Sequence, residues 1–224
     1  MGTPQILSII SLLLLLGCGH APAGGGFNQE ALMDPKNEAM SQQAPDKFKA
    51  EFITSEGSFV IEVNRKWAPL GADRFYNLVF NGFYDEARFF RVVPNFIAQF
   101  GLHADPAINA KWTSHPQINP NWKDVVLQDD PVQVKNTRGT LSFAAAGPNT
   151  RTTQVFINFQ DNTHLDGMGF AAFGQIAEGL EVIDAINPQY GQTPTQGKIM
   201  QEGNQYLEAY YPELTYIKTA RIID

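Results

Sequence analysis

From Phe48 onward, apolar and polar residues alternate. FKAEFIT and SFVIEV carry the two-residue period of half-buried strands, and Ser55-Glu56-Gly57 between them supplies a turn. The spacing predicts a β-hairpin with Phe59, Ile61 and Val63 on one face. Ala68-Pro69 then opens a different period. Ala72, Phe75, Leu78 and Val79 recur at helical spacing, and Gly82 supplies a stop. The next strand is ARFFRVV, ending at Pro94, and strand-like runs return at GTLSFAA, QVFINF and FAAFGQI. A second helix fits Gly179 to Ile186, a third Gly197 to Tyr210, and ELTYIKTARII closes the chain as a strand. Many short strands, few helices and irregular turns predict a mainly β fold, a barrel or sandwich carrying helices.

Two stretches break this pattern. Residues 6–16 read ILSIISLLLLL, about half the length that spans a bilayer as a helix. A short apolar core with a small-residue exit reads as a secretory signal. Leu15-Leu16-Gly17-Cys18 resembles a bacterial lipobox, which implies cleavage before Cys18 and a lipid on that cysteine. MGTPQIL lacks the usual Lys or Arg, so an ordinary cleaved signal is the alternative. The organisation expected is a signal peptide over 1–17, a flexible tether over 18–47 with at most a short helix between Gln29 and Ser41, and one domain over 48–224. The second exception, His103 to Asn136, is proline-rich and reads as a long loop that binds or covers something. Its His103, Asp105 and His115 match no metal-ligand spacing and are expected on the loop surface.

Composition narrows the function classes. With 16 Lys+Arg against 23 Asp+Glu, the net charge of −7 and the absence of a basic run exclude a nucleic-acid binder. One cysteine permits no internal disulfide. The 19 Gly and 14 Pro suit a fold rich in strands and turns. No Ser sits in a nucleophile elbow, which argues against a hydrolase.

Two segments carry candidate chemistry. In FFRVVPNFIAQFG, strand parity puts Phe89, Arg91 and Val93 on one face, so Arg91 is a cation in apolar company. Such an arginine is either functional or structural, snorkelling or paired with a carboxylate. In FAAAGPNTRTTQVFIN the same parity groups Gln154, Phe156 and Asn158, although a buried Gln is ordinarily a hydrogen-bonded core residue.

FFRVVPNFIAQFG, AAAGPNTRTTQVFIN and LDGMGFAAFG together resemble, in order, the three signature blocks of the cyclophilins, which are peptidyl-prolyl cis-trans isomerases. The resemblance covers about Phe48 to Ile223 and implies a closed eight-stranded antiparallel β-barrel with two or three helices. It implies that Arg91 is the catalytic arginine and that Gln99 orients it. Phe96, Ile97, Phe156, Leu165 and Phe170 would form the proline pocket, and Ala144, Ala145, Ala146 and Gln154 would meet the substrate backbone. The family commonly has Asn where Ala145 stands, and many eukaryotic members have the Trp associated with tight cyclosporin binding where His164 stands. Phe170 stands nearest to a His of the pocket rim. The reaction implied needs no metal and no cofactor, and the partners implied are proline-containing polypeptides. With the signal, the resemblance predicts a monomeric isomerase that assists protein folding in the cell envelope, lipid-anchored and periplasmic or extracytoplasmic, or else secreted. A non-catalytic proline-peptide-binding scaffold of the envelope is the competing expectation.

Overall fold

A computed structural model describes residues 25–223. The expected hairpin is present. Strand β1 (Lys47–Thr54) pairs antiparallel with β2 (Ser58–Asn64), and Phe52 stands opposite Phe59 with the two rings stacked at 5.2 Å. Helix α2 runs from Pro69 to Phe80, with proline in its first turn, where the missing N–H costs nothing. Its Ala72, Phe75, Leu78 and Val79 are buried against the sheet, as their spacing predicts. Strands β3 (Arg91–Val93), β4 (Ile97–Phe100), β5 (Thr140–Phe143), β6 (Val155–Asn158), β7 (Ala172–Glu178) and β8 (Ile217–Ile222) complete one curled sheet. Its order is β3-β4-β6-β5-β7-β2-β1-β8, antiparallel throughout. The core inside the curl is aromatic: Phe52, Phe75, Tyr84, Phe100 and Phe173 are fully buried and in mutual ring contact.

The closed barrel is not what forms. The ladder stops at β3 on one side and β8 on the other. The cause is a competing partner, since Val92 N–H in β3 donates to Gly191 O at 2.8 Å. Only the residues before β3 reach β8, through an isolated bridge between Arg88 and Tyr216 and the bonds Phe89 N–H to Thr215 O (3.0 Å) and Ile217 N–H to Ala87 O (2.9 Å). The strand expected over Ala87–Val93 is therefore split. Phe89 turns into the main core, and Phe90 into a second cluster with Leu102, Ile199, Tyr206, Leu207 and Leu214.

Helices also outnumber the two or three expected. Among the described residues there are six α-helical segments and three short 3-10 turns. The helix expected over Gly197–Tyr210 is two, α5 (Gln196–Glu202) and α6 (Asn204–Tyr210), broken at Gly203. Gly203 has φ 61° and ψ −145°, a conformation open to glycine, and a Cβ there would lie 2.1 Å from Ala104 O. Helix α4 (Leu180–Asp184) falls inside the expected span Gly179–Ile186. The expected loop over His103–Asn136 holds a helix, α3 (Pro106–Trp112). Asp105 caps it by accepting from Ala107 N–H at 2.8 Å, and Ile108, Asn109 and Trp112 are buried. His103, expected on the surface, is 4 % exposed.

The flexible tether expected over 18–47 is not what residues 25–46 form. Residues 25–46 form a strap across α2. Gly26 N–H donates to Phe80 O (3.0 Å), Asn28 N–H to Asn81 O (3.1 Å) and Ala44 N–H to Asp73 Oδ1 (2.9 Å). Helix α1 (Gln29–Met33) buries Ala31 and Leu32, and Trp112 Nε1–H donates to Leu32 O at 2.8 Å. The predicted signal peptide, residues 1–17, and Cys18 lie outside the described residues.

Two outcomes follow from this burial. Leu32→Ala is expected to lower unfolding free energy by ~2–4 kcal/mol in urea denaturation, since the side chain is fully inside; a dispensable tether would show no change. His103 has its Nδ1 occupied by Asp105 N–H at 2.8 Å, and burial pushes its pKa down to about 4. The unfolded chain therefore binds this proton more readily than the folded one. Stability is fully present above about pH 6.5 and is lost as pH falls towards 4, by ~3 kcal/mol in all. Denaturation across that window is expected to show a flatter pH slope in His103→Gln than in the native chain.

Candidate active site

The sheet's edge strands place the site. Between β3 and β4 the chain turns through Pro94-Asn95-Phe96, with Asn95 in the left-handed region at φ 57° and Phe96 N–H donating to Val93 O (3.0 Å). This turn sets Arg91 opposite Gln99, and β4 in turn sets Gln99 opposite Phe156 and Ile97 opposite Asn158. Pleating sends Ala98 and Phe100 into the main core and leaves Ile97 and Gln99 on the outer face. On β6, Val155 and Ile157 face the core, and Phe156 shares the outer face with Ile97.

On that outer face the eleven residues expected at the site come together. Arg91, Phe96, Ile97, Gln99, Ala144, Ala145, Ala146, Gln154, Phe156, Leu165 and Phe170 all line one pocket of about 740 Å³. Ile97, Phe156 and Leu165 form an apolar cluster separate from the main core, with Phe96, Ala144 and Phe170 against it. The Phe156 and Phe170 rings meet edge to face at 5.6 Å. His164 stacks on Phe96 at 6.0 Å. The alanine wall continues β5: Ala144 N–H donates to Gln154 O at 2.9 Å. It ends in a turn closed by Thr150, whose hydroxyl donates to Gly147 O (2.7 Å) and accepts from Ala146 N–H (3.0 Å).

Arg91 is half-buried, and burial pushes its guanidinium below the ordinary arginine value. It donates to Gln99 Oε1 (3.2 Å) and to Gln192 Oε1 (3.2 Å), and Gln99 Nε2 donates to Gln154 Oε1 at 2.8 Å. Its carbon lies 5.9 Å from the Phe96 ring centroid. Among the described residues no carboxylate pairs with it. The side chain is thus a positive charge held at the mouth of an apolar pocket by neutral amides.

Three parts of the site escaped the sequence reading. The first is a buried amide network under the pocket. Asn162 Nδ2 donates to Phe96 O and to Asn158 Oδ1, both at 2.9 Å, and Asn136 Nδ2 donates to Phe170 O at 2.7 Å. The shared face of Asn158 with Phe156 was a legible hint of it. The second is a wall where Trp112, His115 and Trp122 of the 103–136 segment line the same pocket. The third is a pair of glutamines, Gln192 and Gln196, which only the tertiary fold brings near. Among the described residues no three His, Cys, Asp or Glu side chains gather as a metal site, and His103, Asp105 and His115 do not converge as ligands.

Known proteins resemble this chain in sequence and in fold. The family model for cyclophilin type peptidyl-prolyl cis-trans isomerases matches residues 49–204. A peptidyl-prolyl cis-trans isomerase of Acinetobacter baylyi is 35% identical over 141 residues, which cover 61% of this chain and 70% of that protein. Peptidyl-prolyl cis-trans isomerase B of Escherichia coli is 32% identical over 143 residues, covering 60% and 81%. In fold, the chain is similar to a Cryptosporidium parvum cyclophilin type peptidyl-prolyl cis-trans isomerase, with a TM-score of 0.56 at 22% identity over 80% of this chain and 98% of that one. The same Cryptosporidium protein has also been solved in the presence of the dipeptide Ala-Pro, and it matches this chain with a TM-score of 0.56. A family match over more than half the chain, on a fold that gathers the signature residues into one pocket, places the chain among the cyclophilin-type peptidyl-prolyl cis-trans isomerases.

Proposed function

We propose that this isomerase turns X–Pro bonds in exported polypeptides at the cell envelope and assists their folding, with Arg91 as its catalytic group. The observation that carries the catalytic reading is a guanidinium fixed by amide oxygens, unpaired with carboxylate among the described residues, beside an apolar cluster in the same pocket.

The chemistry follows from the amide bond. Rotation faces a barrier of roughly 18–20 kcal/mol because resonance is lost as the C–N bond twists. No bond breaks, so the enzyme needs only to favour the twisted state. In that state the proline nitrogen becomes pyramidal and offers a lone pair. A preorganised N–H donor at Arg91 gains its bond chiefly then, and an interaction stronger in the transition state is what lowers the barrier. Phe96, Ile97, Phe156, Leu165 and Phe170 grip the ring while the preceding carbonyl turns. Gln99 holds Arg91, and Gln154 with Ala144–Ala146 receives the peptide backbone. Ala145 presents a methyl group where a side-chain amide is common in the family, so substrate binding here leans on backbone contacts.

The location rests on the sequence alone: a short apolar leader, a small-residue exit at Gly17, and Cys18 in position for lipid. Residues between Cys18 and the strap would then be the spacer from the membrane.

Two measurements test these readings. By NMR exchange on an Ala-Pro peptide, Arg91→Ala is expected to lower kcat/KM by about 10²–10³; full activity in that variant would overturn the role of Arg91. Peptide binding by the native chain without cis–trans exchange would instead make it a binding scaffold. Cys18→Ser is expected to move the protein from the membrane to the soluble fraction, and unchanged fractionation would refute the lipid anchor.

A further inference from the structure

Two polar contacts at the pocket come from outside the signature blocks. Gln192 and Gln196 lie in the segment between α4 and β8, and both touch the amide row around Arg91. Gln192 Oε1 accepts from Arg91 Nε at 3.2 Å, and Gln196 Oε1 accepts from Gln154 Nε2 at 3.1 Å.

The direction of every bond in that row follows from one residue. A guanidinium only donates. Gln99 must therefore turn its oxygen to Arg91, which leaves its NH₂ for Gln154 Oε1. Gln154, accepting at its oxygen, offers its own NH₂ onward to Gln196. The row runs Gln192, Arg91, Gln99, Gln154, Gln196, and its two ends belong to the same extension.

That extension is anchored where a clamp would need it. Gly191 O takes Val92 N–H at 2.8 Å, one residue from each of the paired side chains Arg91 and Gln192. Gln196 opens α5, whose Ile199 is buried in the second cluster, and Gly203 at the end of α5 seats against Ala104. The guanidinium is thereby gripped on its Nε edge by the extension and at Nη1 by Gln99. Two separate acceptors fix both the position and the tilt of a planar group, which one acceptor does not.

We propose that Gln192 and Gln196 are positioning residues of the isomerase, the first acting on Arg91 and the second on Gln154. This rests on the proposed catalytic role of Arg91. Gln192 is exposed, so replacing it leaves the core intact.

The test is steady-state NMR exchange on an Ala-Pro peptide with the native chain, Arg91→Ala, Gln192→Met, Gln196→Met and the double variant of Arg91→Ala with Gln192→Met. Met keeps the length of Gln and removes the acceptor. Gln192→Met is expected to lower kcat by about three- to tenfold with KM within about twofold, the scale of one ordinary hydrogen bond with a solvent-exposed partner. Gln196→Met acts on a backbone-binding amide, so its loss is expected in KM. In the Arg91→Ala background, Gln192→Met is expected to add no further loss. Native kcat in Gln192→Met, or an equal loss in the Arg91→Ala background, would overturn the inference while leaving the role of Arg91 standing. A fully active Arg91→Ala chain would instead sink the catalytic reading itself.

Discussion

The antiparallel register between β3 and β4, Arg91 against Gln99, is the constraint on which the site depends. Side chains on a strand alternate between faces, so a slip of one residue would exchange the two sets completely. Ala98 and Phe100 would face the pocket, and Ile97 and Gln99 would be driven into an aromatic core that has no partner for an amide. The left-handed Asn95 in the three-residue turn holds the register at one end. The apolar match of Phe100 with the core holds it at the other, through ring contacts to Phe52, Tyr84 and Phe89. The next register, Gln99 against Phe156, then brings the apolar cluster of Ile97, Phe156 and Leu165 to the same face as the arginine.

Charge is handled in two different ways in this molecule. Three structural cations are paired with carboxylates, Arg151 with Asp130 at 3.0 Å, Arg65 with Asp73 at 2.7 Å, and Arg221 with Asp85 at 2.7 Å, while Arg74 rests on the carbonyls of Val125 (2.9 Å) and Thr152 (3.2 Å). The Arg151 partner is itself used twice, since Asp130 also accepts from Leu70 and Gly71 N–H at the start of α2, where a carboxylate suits the helix dipole. Arg91 is supported by amide oxygens instead. A carboxylate would hold it as firmly but would cancel the field it projects into the pocket. Neutral acceptors orient the cation and leave its charge available to a substrate dipole in a partly desolvated site.

The parts of this architecture that were legible in the sequence are those governed by local periodicity. The hairpin of β1 and β2 and the helix after Pro69 show unambiguous periods of two and near four. The outer-face grouping of Gln154 and Phe156 follows from the same parity. What escaped was set by contacts distant in the chain. Strand β4 is only four residues long, all buried, and a short apolar run carries no period to distinguish strand from helix. Helix α3 did carry a start signal, Asp105 before Pro106, but the surrounding prolines read as loop. The strap looked like a tether because its composition is polar. Its order comes from Asn77 on α2 and Asn81 at its C-terminal cap, whose buried amides satisfy strap carbonyls at Gln42 (2.7 Å) and Ala39 (3.0 Å). No local pattern marks an asparagine for that task. The open barrel likewise turns on a single backbone bond, Val92 to Gly191, between segments about a hundred residues apart.

These additions meet at one place. Leu32 of the strap accepts the indole bond of Trp112, and Trp112 lines the pocket. The Trp112 ring also faces the Arg74 guanidinium at 5.0 Å, and Arg74 reaches Thr152 O at 3.2 Å, two residues from Gln154. Asn204 N–H donates to Ala104 O at 3.0 Å and ties the C-terminal helices to the 103–136 segment. The family match spans 49–204, yet Leu32 lies before it, and Leu207 and Leu214 of the second cluster lie after it. A chain trimmed to begin at Phe48 would expose the surfaces that Ala31 and Leu32 cover and leave the buried Trp112 indole N–H without its acceptor, a loss of order 1–3 kcal/mol for the unmade bond alone. The folded unit therefore includes the strap, and the wall of the pocket is continuous with it through Trp112.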